Sequence, residues 1–188
     1  SDITNIPFIE NISKKGKPIL ISTGASTLGE IDKAVATIKS FGISEICIMH
    51  CILCYPTADK SANLAMIDSL KRSFPSETIG YSDHTMPKDN LVSLITAYLL
   101  GAQVLEKHFT YDKKLPGNDH YHAMDENDLN QFTNSINQIL SLIGKENCKR
   151  PINEEYISRL NARRSLVLKK SVKKGQLFDK EHITFKRP

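Results

Sequence analysis

The chain lacks the long apolar run that a membrane-spanning helix needs. Its 188 residues are 40% hydrophobic, an ordinary share for a globular protein with one sizeable core, and the longest apolar stretch falls well short of a membrane span. Residues 1–5 are neither basic nor strongly apolar, so they carry no signal-peptide pattern. We therefore expect a cytoplasmic protein that binds no membrane.

The chain also has few cysteines and no strongly basic surface pattern. Cys51 and Cys54 form one CxxC, but the four cysteines provide no second one, so we expect reduced thiols and no zinc or thioredoxin-like site. The net charge is only +4, and the basic stretches 145–164 and 169–174 have no interleaved aromatic residues. This pattern favours a solvated surface over nucleic-acid binding and is compatible with an anionic small substrate.

Short runs rich in β-branched residues alternate with amphipathic stretches up to Gly144. The short runs predict strands over 18–21, 46–49, 78–80 and 104–105. The amphipathic stretches predict one helix that follows the capping box Thr27-Leu-Gly-Glu30, and others over 63–74, 91–100 and 125–143. The alternation predicts an α/β protein with a parallel sheet, either open and doubly wound or part of a barrel.

The composition changes after Gly144. Residues 145–163 read as a polar linker, and residues 164–188 contain two short strand patterns around a turn at 173–175. This tail is too short for an independent core. We interpret it as the start of a second domain or as an arm that docks elsewhere.

Two histidines follow apolar runs of the predicted sheet. His84 lies in Gly80-Tyr-Ser-Asp-His-Thr85, and His108 lies in Glu106-Lys-His-Phe-Thr110. Side chains beyond the carboxyl ends of neighbouring parallel strands converge on one rim, so these imidazoles could share a metal ion. Without further information, two buried and hydrogen-bonded histidines are an equal alternative, and Asp83 beside them would also allow a metal-dependent hydrolase.

Other polar residues are expected near the same rim. Ser22 and Ser82 are predicted just beyond strand ends, where hydroxyl groups can meet an anion or simply cap a turn. His120 and His122 offer a second candidate metal pair, but a loop does not fix the geometry of such a pair. We therefore interpret His120 and His122 as part of a polar lid.

Several short motifs of this sequence together resemble those of the N-acetylneuraminate (sialic acid) synthase family, whose members condense phosphoenolpyruvate with an N-acylated amino-hexose. They cover nearly the whole chain in the family's order. The matching motifs are Lys17-Pro-Ile-Leu-Ile-Ser-Thr-Gly24, His50-Cys51, Tyr55-Pro56, Gly80-Tyr-Ser-Asp-His-Thr85, Glu106-Lys-His-Phe-Thr110, Pro116-Gly-Asn-Asp119 and Lys186-Arg-Pro188.

The resemblance implies a (β/α)8 TIM-barrel synthase followed by a small antifreeze-like (SAF) domain. This chain matches strands five to eight over 1–144, a linker over 145–163 and the opening of the SAF domain over 164–188. The first half of the barrel is then expected to be missing. Half a barrel would expose sheet edges, so a catalytically inactive fragment that acts only in binding or assembly is an alternative.

The resemblance also implies roles for individual residues. His84 and His108 would bind a divalent metal, Mn²⁺ or Mg²⁺, and Ser22 and Ser82 would bind the phosphate of phosphoenolpyruvate. The family usually has polar residues where this chain has Ile52-Leu53, which removes a polar group expected near that phosphate.

The amino-hexose would be contacted by residues from three parts of the chain. Tyr55 and Asp119 are implied to bind the sugar and are also candidates for the catalytic proton transfer. Asp2 would bind the sugar as well, and Arg187 would reach the N-acyl group from the SAF domain of a partner subunit. That last contact implies a homodimer.

Overall fold

The computed structural model describes residues 2–88, 91–177 and 179–188. The chain forms two compact units, Ser1–Ile143 and Gly144–Pro188. Within the described ranges, the helices are too short or too polar to cross a membrane.

The first unit contains a curled parallel sheet of four strands in sequential order. The strands are β1 (Ile19–Ser22), β2 (Ile46–His50), β3 (Thr78–Asp83) and β4 (Val104–Lys107), and each pairs in parallel with the next. Central strands β2 and β3 are almost completely buried, which explains why β2 is apolar at four successive positions, Ile46 to Met49, rather than alternating. The predicted α/β class with a parallel sheet is confirmed.

In the described part of this unit, five α-helices accompany the sheet. They are α1 (Ile6–Ser13), α2 (Leu28–Ser40), α3 (Met66–Ser73), α4 (Val92–Leu99) and α5 (Glu126–Ile143). The capping box before α2 is confirmed, because the Thr27 side chain accepts from Glu30 N and the Glu30 side chain accepts from Thr27 N. Helix α1 was not predicted; its N-cap is Asn5, whose side chain accepts from Phe8 N.

The predicted strand ends were too early. Strand β3 continues past Gly80 to Asp83, and β4 continues past Leu105 to Lys107. Polar residues occupy these last positions, so the apolar pattern stopped before the hydrogen-bonded ladder did. Ser22 and Ser82 therefore lie within β1 and β3 instead of beyond the strands, which corrects the predicted position of both serines.

The core lies between the sheet and its helices. Aliphatic side chains from β2, β3 and the inward faces of α2 and α3 form one continuous cluster, which includes Ile31, Ile38, Ile48, Ile67 and Ile79. The backbone of Gly80 lies against Met49, and a Cβ added there would also lie 2.9 Å from the carbonyl oxygen of Val104. A side chain at Gly80 would therefore disrupt the centre of the sheet.

The second unit is an antiparallel pair with one helix. Strands β5 (Ser165–Leu168) and β6 (Ile183–Lys186) are paired, in agreement with the predicted strand positions. Helix α6 (Tyr156–Ala162) lies within the range predicted to be a linker.

Candidate functional site

Two loops return to the carboxyl ends of β3 and β4 and are held there by backbone hydrogen bonds. Thr57 N donates to the carbonyl oxygen of His84 at 2.7 Å, which fixes the loop after β2 beside His84. Met124 N donates to the carbonyl oxygen of His108 at 2.9 Å, and Thr110 N donates to Met124 O at 2.8 Å. The chain between residues 110 and 124 must therefore leave the rim and come back to it.

These two loops bring four rings together at the rim. The Tyr55 ring centroid lies 4.2 Å from that of His84, 5.8 Å from that of His108 and 6.1 Å from that of His122. His108 in turn lies 5.4 Å from His84 and 5.2 Å from His122 between ring centroids. We call Tyr55, His84, His108 and His122 the histidine cluster. The structure thus brings together the two histidines that the sequence paired, and it adds a third.

His84 has a defined tautomer in this cluster. Its Nδ1 lies 2.7 Å from the carbonyl oxygen of Ile52, and because a carbonyl oxygen only accepts, Nδ1 carries the proton. Nε2 of the neutral ring then keeps a lone pair, an arrangement usual for histidines that bind metals. The contact uses the backbone of Ile52, so the apolar side chain at this position does not affect the orientation of His84.

Asp119 and His122 complete a second group of ligand atoms around His108. Asp119 Oδ1 lies 4.0 Å from His108 Nδ1 and 3.8 Å from His122 Nε2. Ligand atoms of these three residues all lie within 4.8 Å of one another. His122 was interpreted from the sequence as part of a lid, but its side chain is only 1% exposed. No spacing rule identifies it, because its position depends on the return of the loop at Met124.

The donor set suits a divalent cation. It combines the imidazoles of His108 and His122 with the carboxylate of Asp119, and imidazole with carboxylate is a ligand combination used by Mn²⁺, Fe²⁺ and Zn²⁺. His122 is buried, and neither of its ring nitrogens has a hydrogen-bond partner in the part of the chain that the structure describes. The residues present therefore fit a metal ion.

A buried ion pair lies directly behind the cluster. Lys107 Nζ donates to Asp83 Oδ2 at 2.8 Å and to the carbonyl oxygen of Thr85 at 2.6 Å. Both side chains are buried, and each precedes a histidine of the cluster in the sequence. Tyr81, Thr85 and Ser93 also donate to the Asp83 carboxylate. The ends of β3 and β4 that carry His84 and His108 are thereby joined.

The environment shifts the pKa of several of these groups. Burial alone would raise the pKa of Asp83, but the Lys107 ammonium and the hydrogen bonds from Lys107, Ser93 and Thr85 together lower it. Burial lowers the pKa of His122, and nearby His108 lowers it further. Burial raises the pKa of the Tyr55 hydroxyl. Asp83 is therefore a carboxylate and His122 is neutral near pH 7.

The remaining predicted residues lie elsewhere in the structure. Ser82 Oγ donates to Glu106 Oε1 at 2.6 Å, so its hydroxyl is engaged within the sheet. Ser22 and Asp2 line one cleft beside Ile3, Ile9 and Leu20 at the β1 edge. Arg187 follows β6 in the second unit.

Known proteins share both the sequence and the fold of this chain. An N,N'-diacetyllegionaminic acid synthase of Campylobacter jejuni is 37% identical over 189 residues, which cover 100% of this chain and 55% of the relative. A solved N-acetylneuraminic acid (sialic acid) synthetase from Leptospira borgpetersenii is 30% identical with a TM-score of 0.72, and the match covers 84% of this chain and 53% of that one.

A second solved structure extends the structural match. It is a putative spore coat polysaccharide biosynthesis protein E from Chromobacterium violaceum, with a TM-score of 0.80 and 26% identity over 100% of this chain and 55% of that one. The chain thus spans about half the length of the relatives it matches. The sequence pattern of the NeuB family matches residues 1–148. The chain therefore belongs to the NeuB family, which confirms the resemblance to sialic acid synthases drawn from its motifs.

Proposed function

We propose that this protein condenses phosphoenolpyruvate with an N-acylated amino-hexose and consumes one water molecule, giving a nonulosonic (sialic-type) acid and inorganic phosphate. The observation that carries the proposal is the convergence of Tyr55, His84 and His108 at the rim of a NeuB-family sheet. The similar proteins named as legionaminic and sialic acid synthases support the same reaction class. No observation on the described residues favours the metal-dependent hydrolase.

In this proposal His84 and His108 hold a divalent cation, Mn²⁺ or Mg²⁺, with Asp119 beside them. Such an ion supplies positive charge for the aldehyde oxygen of the open-chain sugar when bound. His84 is ready for this role because its Nδ1 is bonded to the Ile52 carbonyl, which leaves Nε2 available. The ring of Tyr55 lies against His84, with the two ring centroids 4.2 Å apart.

Substrate binding is assigned to polar groups around this centre. Asp119 is 67% exposed, so its carboxylate can accept hydrogen bonds from sugar hydroxyls. Tyr55 is the second candidate, because its hydroxyl keeps its proton at neutral pH and can donate it to a developing alkoxide. Tyr55 and Asp119 are therefore the two candidates for the residue that transfers a proton during the reaction.

The phosphate of phosphoenolpyruvate is assigned to Ser22 and Ser82. The Ser82 hydroxyl donates to Glu106, so it must turn away from that carboxylate to meet an anion. Leu53 stands where the family more often has a polar residue, and it packs beside Gly24. We therefore expect phosphate binding to depend strongly on these serines.

The architecture proposed for the whole protein is a (β/α)8 barrel with a SAF domain. Residues 1–144 would form the second half of the barrel, and residues 164–188 would open the SAF domain. Strand β1 ends the described sheet, so a further strand could pair with its outer edge. Leu20 on β1 is 56% exposed, as expected on a barrel face whose other half is absent. Asp2 would also contact the sugar, and Arg187 would reach its N-acyl group from the SAF domain of a partner subunit in a homodimer.

The test is phosphate release from phosphoenolpyruvate by the protein as its coding region provides it. We expect release with Mn²⁺ and N-acetylmannosamine or a diacetamido-hexose, and none without sugar or with EDTA. His84→Ala and His108→Ala should each abolish it while leaving the thermal unfolding midpoint close to that of the wild type. A folded protein that releases no phosphate with any of these sugars would contradict the proposal and favour a role in binding or assembly.

A further inference from the structure

His122 is a buried polar side chain whose ring makes no hydrogen bond within the described part of the chain. It is 1% exposed, and both ring nitrogens lack hydrogen bonds to the residues that the structure describes. Leaving a buried polar group unpaired destabilises the folded state because the group loses its bonds to water, so native proteins rarely keep one without a ligand, water or ion that binds it. The ring therefore indicates a missing partner at this position.

The surroundings of His122 identify the kind of partner. Asp119 Oδ1 lies 3.8 Å from His122 Nε2 and 4.0 Å from His108 Nδ1. These distances are too long for hydrogen bonds, but two atoms that each bind one ion at about 2.1 Å can be up to about 4.2 Å apart. All three ligand atoms lie within 4.8 Å of one another, so a small contraction would place one cation between them.

We propose that His122 is an imidazole ligand that joins His108 and Asp119 around one cation, beside the ring of His84, and that it makes the site selective for a transition ion such as Mn²⁺ over Mg²⁺. The selectivity follows because Mg²⁺ prefers oxygen ligands and water, whereas imidazole suits first-row transition ions. The inference rests on the proposed function for the role of the ion, but its ligands come from the geometry alone.

The backbone explains how a loop residue reaches this position. The backbone of Met124 is hydrogen-bonded to His108 O and to Thr110 N, and these bonds form the base of the loop. Because His122 is only two residues from Met124, it must lie close to this base. A second contact, between Thr110 Oγ1 and His120 Nδ1 at 2.8 Å, holds the neighbouring histidine away from the cluster. Of the two loop histidines, His122 alone faces His108.

The experiment compares Mn²⁺ binding by the wild type, His122→Phe and His182→Ala, using electron paramagnetic resonance of free Mn²⁺. His122→Phe fills the same space without ligand nitrogens. Loss of an outer partner of a metal typically weakens binding about 10–100-fold, so loss of a direct ligand should weaken it at least about 10-fold. His182→Ala is the matched control, because His182 also lies beside an aspartate, at 3.0 Å from Asp179. It should leave the affinity unchanged.

A second readout is independent of affinity and of catalysis. Electron spin-echo modulation from imidazole nitrogen should correspond to one fewer coordinated ring in His122→Phe than in the wild type, and excess Mg²⁺ should not displace Mn²⁺ from the wild type. Circular dichroism establishes that the variant is folded. Unchanged affinity and nitrogen modulation in folded His122→Phe, or a wild type that binds no Mn²⁺, would overturn the inference. Binding that requires His122 without any sugar-dependent phosphate release would instead leave it standing and contradict the proposed function.

Discussion

Lys107→Met is the change that tests most directly how the rim is held together. Lys107 and Asp83 form an ion pair at 2.8 Å, with side chains that are 1% and 0% exposed. The variant keeps most of the side-chain volume but removes the ammonium group. Asp83 would keep its hydrogen bonds from Tyr81, Thr85 and Ser93 and lose its only described cationic partner.

The expected cost follows from this burial. Removing one member of a buried pair leaves an uncompensated charge and typically destabilises a protein by about 3–5 kcal/mol. Asp83→Asn leaves the Lys107 ammonium with the Thr85 carbonyl as its remaining bonded partner, so we expect a similar loss. The double variant should lose less than the sum of the single variants, with a coupling of roughly 1–3 kcal/mol.

Urea unfolding followed by circular dichroism measures these free energies. The pH dependence gives a second criterion, because without Lys107 the burial of Asp83 would raise its folded pKa above the unfolded value of about 3.9. Stability lost through a raised carboxyl pKa is regained as pH falls toward the unfolded value, so the difference from the wild type should shrink between pH 7 and pH 4. A cost below about 1 kcal/mol, or one that does not change with pH, would refute the reasoning.

Two further predictions concern the sheet. Gly80→Ala should destabilise the protein by roughly 1–3 kcal/mol, because the new Cβ would overlap Met49. Gly29→Ala is the control, since a Cβ at this position meets nothing within 4 Å. Urea unfolding of both variants measures the difference in stability. Burial lowers the pKa of His50 although its bond to the Ala62 carbonyl opposes this, so stability should fall as pH drops below about 6.5. His50→Gln should reduce that slope in unfolding free energies measured from pH 7.5 to 5.5, and an unchanged slope would exclude His50 as its source.

Much of the fold could be predicted because buried strands and helix faces require apolar residues, which form a recognisable pattern in the sequence. The β2 sequence is apolar from Ile46 to Met49 because both faces of this strand are covered, and the face of α2 that carries Ile31 and Ile38 is buried. Helix α1 escaped prediction because its short sequence carries a Pro at its start and only one buried aliphatic side chain, Ile9. Strand ends were misplaced where polar side chains continue the ladder.

The candidate site was predictable only where secondary structure alone fixes the position of a residue. His84 and His108 directly follow β3 and β4, so the topology of a parallel sheet is enough to bring them to one rim. His122 lies on a loop whose course depends on the backbone bonds of Met124 to Thr110 and His108. Those bonds leave no periodic signal, and the same sequence is equally compatible with a solvent-facing lid.

The histidine cluster therefore combines two kinds of support. His84 and His108 are carried by strands that a buried ion pair joins, so their separation is fixed by the same contacts that stabilise the sheet. Asp119 and His122 come from a loop that is fixed at its base, and Asp119 is largely exposed. A substitution at Lys107 should therefore lower the stability of the protein and also perturb the histidine cluster. A substitution at His122 should perturb the cluster with a smaller loss of stability. In the proposed function, Asp119 and His122 would adjust when an ion or a sugar binds, while His84 and His108 would stay in position.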